Sequence, residues 1–191
     1  MPNVQAYIRE TNNVRTEFEA AIQKIGQGAA KRAFARAMNF VGSKANTQVR
    51  RQVAKQSGIK YGDVSKQVRL RRANVSKLEA TIVGRGQTFP LKYFNARQFS
   101  YGVRANPWNR SQQFKSAFIV DAYDQDVFVR TGAARFPIKK LWGPSVPNEM
   151  MRTHVLDLFA RSTEELQQRA LHEVRLILEG VTSGTSGRRG G

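Results

Sequence analysis

Seven apolar residues, Phe34, Ala37, Met38, Val41, Ala45, Val49 and Val53, recur at three- and four-residue steps in this 191-residue chain. That spacing places them on one stripe of an α-helix of about seven turns over 29–53, with a single face available to a core. Arg32, Arg36, Lys44, Arg50, Arg51 and Lys55 fall off the stripe. Any fold built on this helix must bury the stripe and send the cations elsewhere. From Lys31 to Lys77 there are thirteen Lys or Arg residues and one carboxylate, Asp63, so this stretch holds +12 of the chain's net +18. Residues 1–30 are neutral, 78–147 carry +6, 148–179 carry −2 and 180–191 carry +2. A helix that is merely solvated mixes signs, because Glu–Lys pairs one turn apart contribute about 0.3 kcal/mol each. The near absence of Glu favours a negative partner surface that screens the repulsion, with a plain solvated face as the alternative.

The rest of the chain reads as one ordinary α+β domain over 29–180, preceded by a 1–28 segment with a short helix at 16–25 and followed by a flexible Gly/Ser/Arg tail at 181–191. Gly58 ends the long helix. Asp63 is placed to cap a shorter one over 64–70 through the free N–H groups of its first turn, with Arg69, Arg71 and Arg72 where that helix gives way to loop. After Ser76 the period shortens to two: Leu78, Ala80 and Ile82 alternate with Glu79, Thr81 and Val83, a strand with one buried face. Further strands are expected at 90–94, 101–105, 117–121 and 126–130, the last two forming a hairpin whose tip carries Asp121, Asp124 and Asp126. Residues 105–116 read as a polar loop, and 141–147 as a stiff extended connection rich in proline. A last helix begins near Asn148, with Thr163, Glu164 and Glu165 marking a break and restart. The expected architecture is long basic N-terminal helices on a small antiparallel sheet, a C-terminal helix and a disordered tail.

Catalytic chemistry finds no foothold. His154 and His172 are the only histidines, 18 residues apart, without metal-ligand spacing. Asp121, Asp124 and Asp126 lack the Gly and bidentate Glu of a calcium loop, so a solvated tip accounts for them. No Gly-x-Ser-x-Gly, P-loop or dinucleotide fingerprint occurs, and neither a metal nor a cofactor is expected. With no cysteine there is no disulfide framework, which fits a reducing compartment. No apolar run reaches the roughly 20 residues that span a bilayer, so a soluble protein made in the cytoplasm is expected. Phe89, Tyr93, Phe94, Phe99 and Tyr101 fall between cations as in a base-stacking platform, but at alternating spacing in strand-like sequence such residues are more often core or subunit interface. Trp108 in its polar loop is a candidate partner anchor.

Several segments, taken in order, resemble the phage and prophage minor tail protein Z family, the tail completion proteins. They are Ala29-Ala-Lys-Arg-Ala-Phe-Ala-Arg-Ala-Met-Asn-Phe, Arg71-Arg-Ala-Asn-Val-Ser-Lys-Leu-Glu-Ala-Thr-Ile, Phe89-Pro-Leu, Phe114-Lys-Ser-Ala-Phe-Ile-Val, and Arg135-Phe-Pro-Ile-Lys-Lys-Leu-Trp-Gly-Pro-Ser-Val-Pro147. The resemblance covers about residues 29–160, and its last segment is the most specific. It implies a structural part of the virion, assembled in the host cytoplasm and standing at the head-proximal end of the tail. There it helps tails join heads and pass DNA, with no catalytic residues. It also implies other neck and tail proteins as partners, a six- or twelve-fold ring of identical subunits, and non-specific contact with phage DNA. On that picture Lys31, Arg32, Arg36, Arg50, Arg51, Arg69, Arg71 and Arg72 face phosphate or an acidic neck protein. Trp108, Trp142, Gly143, Pro144, Ser145, Val146 and Pro147 are the candidate subunit or partner contacts, Gly143 to Pro147 as a rigid arm or else a simple connector. A free, sequence-independent nucleic-acid-binding protein is the alternative that accounts equally for the charge.

Overall fold

The computed structural model describes residues 3–8, 19, 23 and 26–178. The helix expected at 16–25, apart from helical Glu19 and Gln23, and the tail expected from 181 lie outside them. In chain order the elements are β1 (Asn3–Ile8), α1 (Gln27–Ser57), α2 (Tyr61–Gln67), β2 (Val68–Arg71), β3 (Ala80–Arg85), β4 (Thr88–Pro90), β5 (Arg97–Phe99), β6 (Gly102–Ala105), β7 (Gln112–Lys115), β8 (Ala117–Val120), β9 (Asp126–Arg130), β10 (Ile138–Lys140), β11 (Trp142–Ser145), α3 (Val146–Met150) and α4 (Thr153–Leu178). This is the expected α+β class: a long N-terminal helix, small antiparallel sheets and a C-terminal helix. The chain divides into two compact units, one of Gln5–Gln48, Arg69–Val83 and Leu156–Gly191, the other of Met1–Val4, Val49–Val68 and Gly84–Val155.

In the first unit α1 buries Phe34, Ala37, Met38, Val41 and Ala45 of the stripe read from the sequence, with Ala33 beside them. Gly42 explains how closely the helix passes over the strands. A Cβ there would sit 3.3 Å from Ala80 Cβ and 3.3 Å from Leu70 Cδ1. Glycine inside a helix costs about 1 kcal/mol against alanine, and here it permits the contact between helix and strands. β3 is the centre of a three-stranded sheet ordered β1-β3-β2. Residues 80–84 are all buried, so the strand expected to have one wet face has none. On the far side of α1, Arg36 Nε donates to Glu173 (2.9 Å) and Lys44 Nζ to Glu165 (2.7 Å), while the Arg169 guanidinium lies 4.2 Å from the Phe40 ring centroid. The acidic residues of α4 thus neutralise one flank of the basic helix. Ser162 and Thr163 donate to the carbonyls of Leu158 and Phe159, so α4 runs unbroken where a restart was expected. The interruption falls at Met151–Arg152, between α3 and α4.

In the second unit α1 runs on to Ser57, one turn past the expected end. Gly58 adopts φ +76 and Asn109 Nδ2 donates to the Lys55 carbonyl (2.7 Å), satisfying an orphan acceptor of the last turn. α2 is not capped by Asp63. Lys60 is its N-cap residue, without a side-chain cap, and the Asp63 carboxylate, inside the first turn, accepts from Lys66 Nζ (3.0 Å) and from the Tyr93 hydroxyl. These hydrogen bonds, Tyr93's above all, hold Asp63 below the usual carboxylate range, while burial and then Asp63 push Tyr93 up to about 12. A tertiary donor outcompetes the local cap. The helix also stops at Gln67, and 68–71 is strand.

Around a core of Leu91, Val103, Ala105, Ala117 and Val127 lie two three-stranded sheets, β5-β6-β7 and β10-β9-β8. Residues 91–94, expected as strand, form a 3-10 turn that buries Leu91 and Phe94, residues that eclipse at three per turn. The expected polar loop at 105–116 contains a turn at Pro107–Asn109 and strand β7, paired to β6 with Val103 opposite Phe114. Its polar composition reflects a half-exposed strand. The hairpin is as expected, with Phe118 opposite Phe128 and Val120 opposite Asp126, and β10 adds a third strand. Asp126, however, is buried and not part of a solvated tip: Lys92 Nζ lies 3.2 Å from it and Lys140 Nζ donates to it.

Burial alone would raise the Asp126 carboxyl, but the hydrogen bonds from Lys140 and Lys92 outweigh it and hold the group below its ordinary value. The stabilisation is complete above the unfolded carboxylate value of about 3.9 and is lost as pH falls through the lower folded one. Asp126→Asn should cost about 2–3 kcal/mol at neutral pH by leaving the Lys140 ammonium without its carboxylate and Lys92 with Asp124 alone. In urea unfolding the gap from wild type should close as the buffer is taken from about pH 7 towards about pH 2. A gap that stays constant would contradict the pairing.

Candidate anion-facing surface

β2 alternates in burial: Val68 is buried, Leu70 half-buried, and Arg69 and Arg71 are exposed. With about 3.3 Å of rise per residue, the two arginines stand about 7 Å apart on one face of the strand, and exposed Arg72 follows. Asn39, at the edge of the α1 stripe, fixes this exit. Its Nδ2 donates to the Ala73 carbonyl (2.9 Å) and its Oδ1 accepts from the Ala73 N–H (2.8 Å), so the backbone just after Arg72 is held to the helix. Sequence reasoning missed Asn39, whose only local signal is an amide beside an apolar stripe. It also placed the three arginines where a helix gives way to loop, and a strand instead gives Arg69 and Arg71 a common direction.

The other predicted cations separate by what they touch. Arg36 is committed to Glu173, a carboxylate only 4% exposed that also accepts from Arg169 (2.5 Å). Arg50 donates from Nε (3.2 Å) and Nη2 (2.6 Å) to the Val68 carbonyl. These two are engaged within the fold. Lys31 is half-buried; Arg32, Arg51, Arg69, Arg71 and Arg72 are exposed, and none of the six has an ion-pair partner among the described residues.

The expected partner contacts also divide. Trp142 is 48% exposed, with Lys140 Nζ 4.6 Å from its ring centroid. Gly143 is half-buried, and Pro144, Ser145, Val146 and Pro147 are buried. The segment is strand β11, paired with β4 (Trp142 opposite Pro90, Ser145 opposite Thr88), and it runs into α3. The rigid-arm reading is therefore corrected: proline needs no donated bond on this two-stranded edge, and the extended form it enforces is used within the fold. Trp108 is half-buried with a left-handed φ of 56, and its Nε1 donates to Glu149 Oε1 (2.8 Å). Of the expected stacking residues, Phe94 is buried, whereas Phe99 and Tyr101 are exposed and stacked at 5.5 Å with Arg104 over Phe99.

What the exposed arginines on and after β2 can do is bind a negative surface without reading sequence, since phosphate or carboxylate contacts position a partner and carry no base information. Among the described residues no cluster of three or more His, Cys, Asp or Glu could hold a metal ion, and no helix is long and apolar enough to cross a membrane. No curated protein and no solved structure matches the chain. Residues 18–179 match the family model described as prophage minor tail protein Z (GPZ), which spans most of the sequence, so this chain belongs to that family of structural proteins of the phage tail.

Proposed function

We propose that this protein is a tail completion protein of a tailed bacteriophage, placed at the head-proximal end of the tail, where it makes tails competent to join heads and pass DNA. The observation that carries this reading is the set of exposed arginines on and after β2, with no ion-pair partner among the described residues, in a member of a tail-protein family. A net charge of +18 resists packing identical copies side by side. A polyanion, either DNA in transit or an acidic neck ring, relieves that repulsion and makes assembly depend on the correct neighbour. The working unit on this reading is a six- or twelve-fold ring, assembled in the host cytoplasm, with no membrane stage and no catalytic step.

In vitro joining tests the proposal. Lysates of a phage lacking this chain should contain filled heads and separate tails, and purified protein added back should restore joined, infectious particles. Particles that join as well without it would contradict the role.

A further inference from the structure

A cleft of about 480 Å³ opens in the second unit beside the end of α1. Lys55, Arg110, Arg152 and His154 line it together with the face of Trp108, and all four basic side chains are exposed. No carboxylate lines it. The nearby Glu149 is 2% exposed and fully engaged: Oε1 takes the Trp108 indole N–H, while Oε2 takes Gln56 Nε2 (3.0 Å) and Arg152 Nε (3.0 Å). The cleft is thus a basic hollow lined by one aromatic ring, in which Arg152 is paired with Glu149 while Lys55 and Arg110 have no ion-pair partner among the described residues.

The same unit carries the answering shape. Of its five carboxylates, Asp63, Asp121, Asp124, Asp126 and Glu149, only Asp121 and Asp124 are exposed. Both stand on the β8–β9 hairpin tip. A 3-10 turn at Asp121–Tyr123 followed by left-handed Asp124 and Gln125 makes that tip narrow and well defined, and Tyr123 is 57% exposed at its end. Asp124 is held by Lys92 (2.5 Å), and Asp121 has no partner among the described residues. A convex tip with carboxylates and one aromatic ring suits a concave site with cations and one aromatic ring. DNA does not suit the cleft, since a duplex presents a continuous row of phosphates to an open face.

We infer that the hairpin tip of one copy, Asp121 to Asp124, docks in the Lys55–Arg110–Arg152 cleft of the next, and that this head-to-tail contact closes the ring. The inference rests on the ring reading above. Donor and acceptor are different surfaces of one chain, so the interface is heterologous and repeats around a closed circle. Local pairing of opposite charge also lets two strongly basic copies approach in one orientation and rejects others.

Charge reversal and rescue test it, read by sedimentation velocity on the whole chain at about 50 mM salt, where exposed charges are weakly screened. Wild type should self-associate as concentration rises. Asp121→Lys/Asp124→Lys and Lys55→Glu/Arg110→Glu should each associate at least about tenfold more weakly. An equimolar mixture of the two should recover oligomers, because every tip then meets a cleft of opposite sign; recovery also shows that both variants are folded. Wild type that stays monomeric up to about 1 mM, variants that associate like wild type, or a mixture that stays monomeric would each overturn the contact. A ring seen in virions while the reversals have no effect would sink this interface and leave the tail-completion role standing.

Discussion

Arg69→Ala/Arg71→Ala/Arg72→Ala protein should fold like wild type and fail to restore head–tail joining when added back to a lysate lacking the chain. All three side chains are exposed and have no partner among the described residues, so their truncation leaves no buried group unpaired and the melting temperature should hold. Their loss removes three cations from each subunit's polyanion contact. Exposed charge contacts are individually weak, but three together should lower affinity by about an order of magnitude or more per subunit, and a ring multiplies the deficit. Arg36→Ala is the informative control. It strips a cation from α1 and not from β2, and breaks the pair with Glu173, so it should lower stability and leave joining near wild type once folded. Triple-variant protein that restores full titre would exclude β2 as the joining surface.

The largest effect on stability should come from Glu149→Ala. This carboxylate, 2% exposed, collects Trp108, Gln56 and Arg152, and the Glu149 backbone carbonyl also accepts from Gln56 (2.7 Å). Removing it leaves the Trp108 indole N–H without its acceptor, parts Arg152 from its carboxylate, takes one of two acceptors from the Gln56 amide and empties a buried site, a loss of about 3–5 kcal/mol out of a total of about 5–15. Glu149→Gln keeps the shape and an oxygen for Trp108 but turns an amide N–H₂ toward two donors, for about 1–3 kcal/mol. The effect should not stay local. Trp108 and Asn109 both have left-handed backbones, and Asn109 caps the Lys55 carbonyl at the end of α1. Urea unfolding gives the magnitude, and the Trp108 emission of a Trp142→Phe background reports the loosened loop. A Glu149→Ala protein within about 1 kcal/mol of wild type would contradict the account of this cluster.

The sequence disclosed the long helix, the β8–β9 hairpin and the α+β class because each rests on a repeated pattern. Seven apolar residues at helical steps leave one reading, and a tight turn between two apolar runs leaves another. The polar contacts that organise the surface have no such pattern. Asn39 meets Ala73 34 residues away, Gln56 meets Glu149 93 away and Arg36 meets Glu173 137 away. Nothing local distinguished Arg36 and Arg50, which bond within the fold, from Arg32 and Arg51, which have no ion-pair partner among the described residues. β5 and β7 escaped notice because they are short and polar, and β11 because its prolines mimic a linker. Asp63 was assigned to the helix cap that short acidic residues favour, and a tyrosine 30 residues on claimed it. The acidic tip was legible, but its division into a buried Asp126 and an exposed Asp121 and Asp124 required the third strand and two lysines.

Cryo-electron microscopy of the head–tail junction in intact virions tests the central claim most directly. A ring of this chain between the tail tube and the head, with Arg69, Arg71 and Arg72 turned toward DNA or an acidic neighbouring ring, is the predicted result. Density for this chain only at the distal end of the tail, or virions that lack it altogether, would contradict it.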